Sequence, residues 1–412
     1  MHRSNRMEAI RRSFWVLPAL AMAVGVALAL LLPAVDDELG ISMGLLSLTE
    51  FSAARGLLET IATVTVSVAG ISFSITVVAL QLAAQQLGPR VLRTFQRNRL
   101  SQTVLAVFLG TFVYALVLLT QLDATATEIP HLPVAVAIVA TTVAFGLFVA
   151  FIDDTVTSLQ AATVIERIAA DGRRAIDGRH PRGAGEPVRD SQAALDDLWP
   201  GLSAREPAQV RARHGGFVVA VDGRHLVRVA EGARAVIAQR AAIGEYVLTG
   251  GLLAEIWMDG ESAGPIESTG DAFALGAERA IPQDMAFPLR QLADVALRAL
   301  SPSLNDPTTA RNAVDAAADT LVHFIRAEPI ERVRADQHGA VRLLAIGADL
   351  DDLARVAFEE VRGAAAGSPT VTSHLAQRLE EIGRVARAAG LSAAEVDRQR
   401  AELVGPNGGR DD

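Results

Sequence analysis

Two groups of side chains in this sequence have the types and spacing to do chemistry. The first is a row of small polar residues, Thr60, Thr63, Ser67, Gly70, Ser74 and Gln81, within the apolar run from 56 to 100. Their spacings of three, four, three, four and seven place them on one helical face. In a membrane such a face either packs against protein or meets water. It therefore reads either as a helix-packing seam or as the wall of a pore or substrate path. Thr65, Ser72 and Thr76 put hydroxyls on a second face, which predicts a helix central to a bundle or an oligomer. Glu59, the carboxylate inside this span, reads as a snorkelling partner of Arg55 or as a selectivity or proton-linked site.

The second group lies between 276 and 321 and holds Gln283, Asp284, Arg290, Asp294, Ser301, Asn305, Asp306 and Pro307. Phe287, Leu289, Leu292, Val295, Ala296 and Leu300 follow helical periodicity, with a stop expected near Ser301-Pro302. Asp306 followed by Pro307 is then an N-cap and first-turn pair for a second helix. Capping explains less of the crowd formed by Glu278, Arg279, Gln283, Asp284, Arg290, Asp294 and Arg298. Asp294 and Arg298 have i,i+4 spacing for an ion pair.

Catalytic chemistry finds little else to use. With no cysteine there is no thiolate nucleophile, disulfide or cysteine metal site. Every basic residue is Arg, which with the Ala-rich composition marks a GC-rich bacterial genome and removes Schiff-base and P-loop lysine chemistry. The eight histidines lack ligand spacing, and no GxGxxG, HExxH or nucleophile elbow occurs. No catalytic residue, metal or cofactor is expected. A net charge of −9 argues against a nucleic-acid partner.

The elements that must position these residues begin in the membrane. Four stretches, roughly 14 to 35, 56 to 82, 102 to 122 and 133 to 152, have the about 20 apolar residues a bilayer core takes. The first exceeds a signal h-region and has no small-x-small cleavage site, which predicts a retained anchor. Arginines 3, 6, 11 and 12 precede it, and Arg90, Arg93, Arg97 and Arg99 follow the second span. The two alternate loops are acidic, so the positive-inside rule predicts both termini in the cytoplasm of a bacterial inner membrane. Asp153 and Asp154 sit where the fourth span ends, solvated or at a pore mouth that attracts cations.

The expected fold is thus an α-helical transmembrane four-helix domain over 1–154, followed by an α+β region. Residues 155–214 read as a helical connector continuing the fourth span, with a Gly, Pro and Arg-rich linker or exposed loop at 177–190 and a short helix at 191–198. A small β-module is expected over 215–275. FVVAV, Asp222-Gly223 and RHLVRV read as a hairpin, and RAVIAQ and GEYVLTGGLLAEIW as further strands. Residues 276–404 read as mostly helical, with a strand at 341–346 and a helix break at Gly367-Ser368-Pro369. A disordered tail is expected over 405–412.

The blocks FSITVVALQLAAQQLGPRVLRTFQRNR (73–99) and QDMAFPLRQLADVALRALSPSLNDPTTA (283–310) resemble the bacterial predicted membrane proteins of domain of unknown function family 2254. Their order, their separation and the four-span layout are also similar, so the likeness covers nearly the whole chain. The chain departs from the family's pattern in having Gly88-Pro89 where Ser-Pro is usual and Thr308 where phenylalanine is common. Asp153 and Asp154 stand where the family has histidines, which removes a histidine role at that membrane exit. The resemblance implies membrane location and topology and carries over no catalytic residue.

On these grounds the chain is expected to be a homo-oligomeric, channel-like membrane protein in contact with the lipid bilayer, its second span lining a central path for ions or a small ligand. The competing expectation is a membrane-anchored cytoplasmic sensor or scaffold whose polar stripe is only a packing seam.

Overall fold

A computed structural model describes residues 15–39, 51–87, 99–121, 131–158, 160–258 and 263–405. The chain divides into two compact units, residues 1–163 and 164–412.

The first unit contains α1 (Val16–Leu39), α2 (Phe51–Leu87), α3 (Arg99–Gln121) and α4 (His131–Ser158). Among the described residues these four helices are long and apolar enough to cross a membrane. The third packs against the other three and is the most buried. Phe108 on α3 meets Phe145 and Phe148 of α4 edge to face, with centroids 5.8 and 6.1 Å apart. Small residues bring α1 onto α3: a Cβ on Gly25 would stand 2.5 Å from the carbonyl oxygen of Gly110, and one on Gly110 3.0 Å from that of Ala21. Polar links close one end of the bundle. The Tyr114 hydroxyl donates to the Pro133 carbonyl at 2.8 Å, and Gln121 Nε2 to the Ala29 carbonyl at 2.8 Å. Asp36 accepts the Leu132 N–H at 3.3 Å, capping the first turn of α4 from α1.

The second unit is built on a mixed sheet and a helical layer. Among the described residues one sheet has the order β1-β8-β9-β4-β6-β2, with strands Glu186–Pro187, Val333–Ala335, Val341–Leu344, Val236–Gln239, Leu252–Trp257 and Ala208–Arg211. Strands β4 and β9 run parallel and the other pairs antiparallel. A second sheet has the order β5 (Tyr246–Val247), β3 (Gly216–Val221) and β7 (Phe273–Gly276). Helix α5 (Ala161–Asp177) precedes β1, α6 (Ser191–Ser203) precedes β2, α7 (Gly223–Gly232) lies between β3 and β4, and α8 (Ala263–Gly270) between β6 and β7. The helical layer is α9 (Ala286–Ala299), α10 (Pro307–Arg326), α11 (Leu350–Ala365), α12 (Pro369–Ala388) and α13 (Ala394–Val404). The helix break expected near Gly367-Ser368-Pro369 and the strand at 341–346 are both present. The larger sheet takes β1, β8 and β9 from outside the 215–275 segment.

Two sequence expectations are corrected. Residues 222–232 form a helix, not the second arm of a hairpin. Asp222 is its N-cap, accepting the His225 N–H at 3.0 Å, and Leu226, Val227 and Ala230 recur at helical spacing on the buried side. An Asp-Gly pair serves a turn and a cap equally well, and here the helical period of the following residues decides. The 177–190 stretch is irregular and mostly exposed, but part of it is held by the fold. Arg179, His180 and Ala184 are buried, and Glu186–Pro187 joins the sheet beside β8. The helix after the fourth span begins afresh at Ala161, since α4 ends at Ser158. The tail from 406 onward lies outside the described residues.

The Gly25 contact is open to test. Gly25→Leu is expected to lower the melting temperature of the detergent-solubilised protein, because overpacking costs about 1–3 kcal/mol. Gly146→Leu, where an added Cβ meets nothing within 4 Å, should leave it unchanged. Equal losses in the two variants, read by tryptophan fluorescence on heating, would count against the close packing of α1 on α3.

Candidate functional site

The polar row on α2 lies on one face, and that face is turned away from its own chain. Thr60, Thr63, Ser67, Gly70, Ser74 and Gln81 are all exposed, whereas Ala54, Leu58, Ile61, Ala62, Thr65, Ala69 and Ser72 are buried against the bundle. At 100° per residue the two sets stand about 170° apart around the helix. Of the three hydroxyls expected on a second face, Thr65 and Ser72 belong to the buried set and Thr76 is half-buried. The exposed row is bordered by exposed Val64, Ile71 and Val78 on one side and by Val66, Phe73 and Val77 on the other.

The hydroxyls in both sets have local acceptors. Thr60, Thr63 and Ser67 donate to the carbonyls of Gly56, Glu59 and Thr63 at 2.7, 2.8 and 2.7 Å. Thr65, Ser72 and Thr76 do the same on the inner side. Such back-bonding removes the need for an outside acceptor within lipid. Gly70 and Gly56 leave open space, with nothing within 4 Å of an added Cβ. Glu59 pairs with Arg55 one turn earlier, at 3.0 Å between two exposed side chains, which favours the ordinary reading of that carboxylate. Arg99 begins α3, and Asp153 is exposed near the end of α4, with Asp154 half-buried beside it. Arg90, Arg93 and Arg97 lie outside the described residues.

The 283–307 group lies in the second unit, and its side chains serve the fold. Gln283 takes both main-chain groups of Val221, accepting its N–H at 2.8 Å and donating to its carbonyl at 3.3 Å, and so pins β3. Asp284, 2% exposed, receives Arg279 through two N–H groups at 2.6 and 2.7 Å. The same carboxylate accepts the Phe287 N–H at 3.1 Å, at the start of α9. Gly244 passes so close that an added Cβ would meet Asp284 at 2.5 Å. Arg290 ties α9 to α11, bonding Asp294 at 3.0 Å and both oxygens of Glu360. Ser301 donates to the Arg298 carbonyl at 2.7 Å. Asn305, with φ +45°, makes the left-handed turn that this short-side-chain amide tolerates. Asp306 caps α10 by accepting the Thr309 N–H at 3.0 Å; hydrogen bonding from the Thr309 hydroxyl, and then from that N–H, holds its carboxyl below the usual carboxylate range, and Pro307 occupies the first turn.

A buried polar centre at Arg179 and His180 was not evident in the sequence, since Gly, Pro and Arg around it signal only an irregular path. His180 Nε2 lies 3.0 Å from Gln239 Oε1, which also accepts the Ile346 N–H at 3.1 Å. Gln239 Nε2 donates to the Ala241 carbonyl, so its oxygen must be the acceptor and His180 Nε2 carries the proton. Burial pushes the imidazole down to about 4, opposed by that hydrogen bond. Among the described residues no group of three or more His, Asp or Glu side chains is placed to hold a metal ion.

The sequence model of a family described as "Predicted membrane protein (DUF2254)" matches residues 11–381. Uncharacterized proteins of Mycobacterium tuberculosis and Mycobacterium bovis are each 29% identical over 397 residues, covering 92% of this chain and 74% of the relative. No solved structure matches the chain.

Two outcomes follow from these contacts. Asp284→Asn should cost about 3 kcal/mol of stability, at the low end for breaking a buried pair, as read by denaturant unfolding. For His180, the folded value lies below the unfolded one near 6.5, so the unfolded chain binds more protons between them. Stability should therefore rise with pH from about 4 to 6.5 and be lost on acidification through that window, by about 3 kcal/mol in full. His180→Gln, which keeps a donor near Nε2, should flatten this dependence; an unchanged slope would contradict the assignment.

Proposed function

The chain belongs to the DUF2254 family of predicted membrane proteins, and from that membership and the outward polar face of α2 we propose that it is a homo-oligomeric, channel-like protein of the bacterial inner membrane. The second spans of several copies face one another around a central path, which ions or small solutes follow. Both termini lie in the cytoplasm, on the strength of the arginines at 3, 6, 11, 12, 90, 93, 97 and 99 against the acidic alternate loops. Residues 164–412 then form the cytoplasmic part.

One observation carries the reading. The Thr60 to Gln81 row stands on the side of α2 opposite the one its own chain covers. A lone copy would turn a row of small polar groups to lipid, where neither close packing nor hydration is available. Other copies supply the first, and a water-filled axis the second.

A second reading draws on the back-bonding of Thr60, Thr63 and Ser67. Hydroxyls already bonded to their own helix need no water, so the row can serve as a contact seam alone in a membrane-anchored sensor or scaffold.

The absence of native cysteine makes the two separable. Single substitutions Ser67→Cys and Gly70→Cys are expected to cross-link copies in the membrane, and Ser72→Cys on the buried face is not. Liposomes holding the protein should pass ions under voltage, tension or a pH step, and Ser67→Leu with Ser74→Leu should abolish the flux. Cross-linking without flux would select the seam, and failure of both outward cysteines to cross-link would remove the oligomer.

A further inference from the structure

The buried turn after α5 borders a cavity that the reading above does not use. It has a volume of about 420 Å3 and opens where that turn meets the end of α10, the start of α11 and the α12–α13 connection. Phe324, Ile330, Leu350 and Leu391 supply apolar wall, and Arg179 stands among them. A volume of this size falls within the range of small-molecule sites, roughly 300–1,000 Å3.

Arg179 is 6% exposed, yet its hydrogen-bond and ring partners are neutral. Its Nη1 donates to the Ile176 carbonyl at 2.6 Å and its Nη2 to the Glu328 carbonyl, and the guanidinium lies over the Phe324 ring, 5.7 Å from the centroid. Among the described residues no carboxylate oxygen comes within 4.0 Å of it. A guanidinium has five N–H donors, so two carbonyl bonds leave enough for a bidentate acceptor. Burying a cation without a counter-charge is costly, and a carboxylate on the guanidinium offsets that cost. Burial, and then the neighbouring Arg182 charge, lower the pKa of Arg179, and the Asp177 and Glu328 carboxylates, beyond ion-pair distance, offset this only in part.

The other charges of the wall limit the ligand. Arg332 lines the cavity and donates to the Ala348 carbonyl at 3.3 Å. Asp349 and Asp351 also line it, and both are engaged: Asp349 accepts the Asp352 N–H at 2.8 Å, and Asp351 accepts the Glu395 N–H at 3.0 Å and the Ser392 hydroxyl at 3.3 Å. Two arginines against two aspartates leave no surplus of positive charge. That disfavours a dianion such as phosphate and suits a single negative charge on an apolar body.

We propose that this cavity binds a small organic monocarboxylate, its carboxylate on Arg179 and its apolar body against Phe324, Ile330, Leu350 and Leu391. The proposal does not rest on the oligomer or its path.

The test uses the full chain in detergent, titrated with benzoate, octanoate and inorganic phosphate, with calorimetry and melting temperature as readouts. At least one carboxylate should bind saturably and raise the melting temperature, and phosphate should bind more weakly or not at all. Arg179→Gln should weaken the carboxylate at least ten-fold. Ala389→Trp, at an exposed position on the cavity's wall, should block it without touching Arg179. If Arg179→Gln fails to melt cooperatively, Ala389→Trp alone decides. The proposal is overturned if neither carboxylate binds the wild type, if phosphate binds more tightly, or if binding survives Ala389→Trp.

Discussion

Hydrocarbon offers no hydrogen-bond partner, and this constraint orders the first unit. Each hydroxyl described on α2 from Thr60 to Ser67 returns to a carbonyl of its own helix. Tyr114, Gln121 and Asp36 reach between helices and end on main-chain groups of a neighbouring span. Between them the helices meet through small residues, and the Gly25–Gly110 approach leaves no room for a Cβ. Association without a hydrophobic driving force depends on such fit. A bundle satisfied in this way has no internal use for a polar row on α2, and that row stands outside it.

The second unit solves a different problem. Its sheet and helices are linked by groups that would be costly if left unpaired: Gln283 on β3, Asp284 on Arg279, and Gln239 between His180 and Ile346. The dense 283–307 motif therefore joins the sheet to the helices. Its carboxylates cap helices or hold guanidinium groups, and Asn305 supplies a turn. Arg179 differs from these, since its guanidinium bonds carbonyls and lies over a ring face, with no acid of the described residues within ion-pair distance.

What the sequence discloses follows the range of the interaction involved. The spans were legible because about 20 apolar residues in a row have few other uses, and the Asp306-Pro307 start of α10 because capping is local. The helix at 223–232 was misread because Asp-Gly is ambiguous over four residues, and the burial of Leu226 and Ala230 that settles it comes from the sheet. For the candidate site, the row on α2 was legible as a face, but which way the face points depends on where α3 and α4 pack. Nothing near Arg179 announces its burial, because the groups around it come from Ile176, Phe324 and Glu328, nearly 150 residues apart in part.

The spacing of the outward row bears on the assembly proposed for it. Thr60, Ser67, Ser74 and Gln81 are seven residues apart, and so are Gly56, Thr63, Gly70 and Val77, giving two interleaved heptad rows of mostly small side chains. A straight α-helix drifts by about 20° per heptad against such a repeat. From 56 to 81 the drift would reach about 70°, enough to carry one end of the row off a shared axis. A left-handed supercoil removes it, with neighbours crossing near +20° as in most membrane bundles. Positions with a heptad period held for the length of the membrane are what a face needs if it is to meet its counterpart throughout. A face needing contact at one crossing point only, as the short Gly25–Gly110 contact within the bundle does, has no use for the repeat.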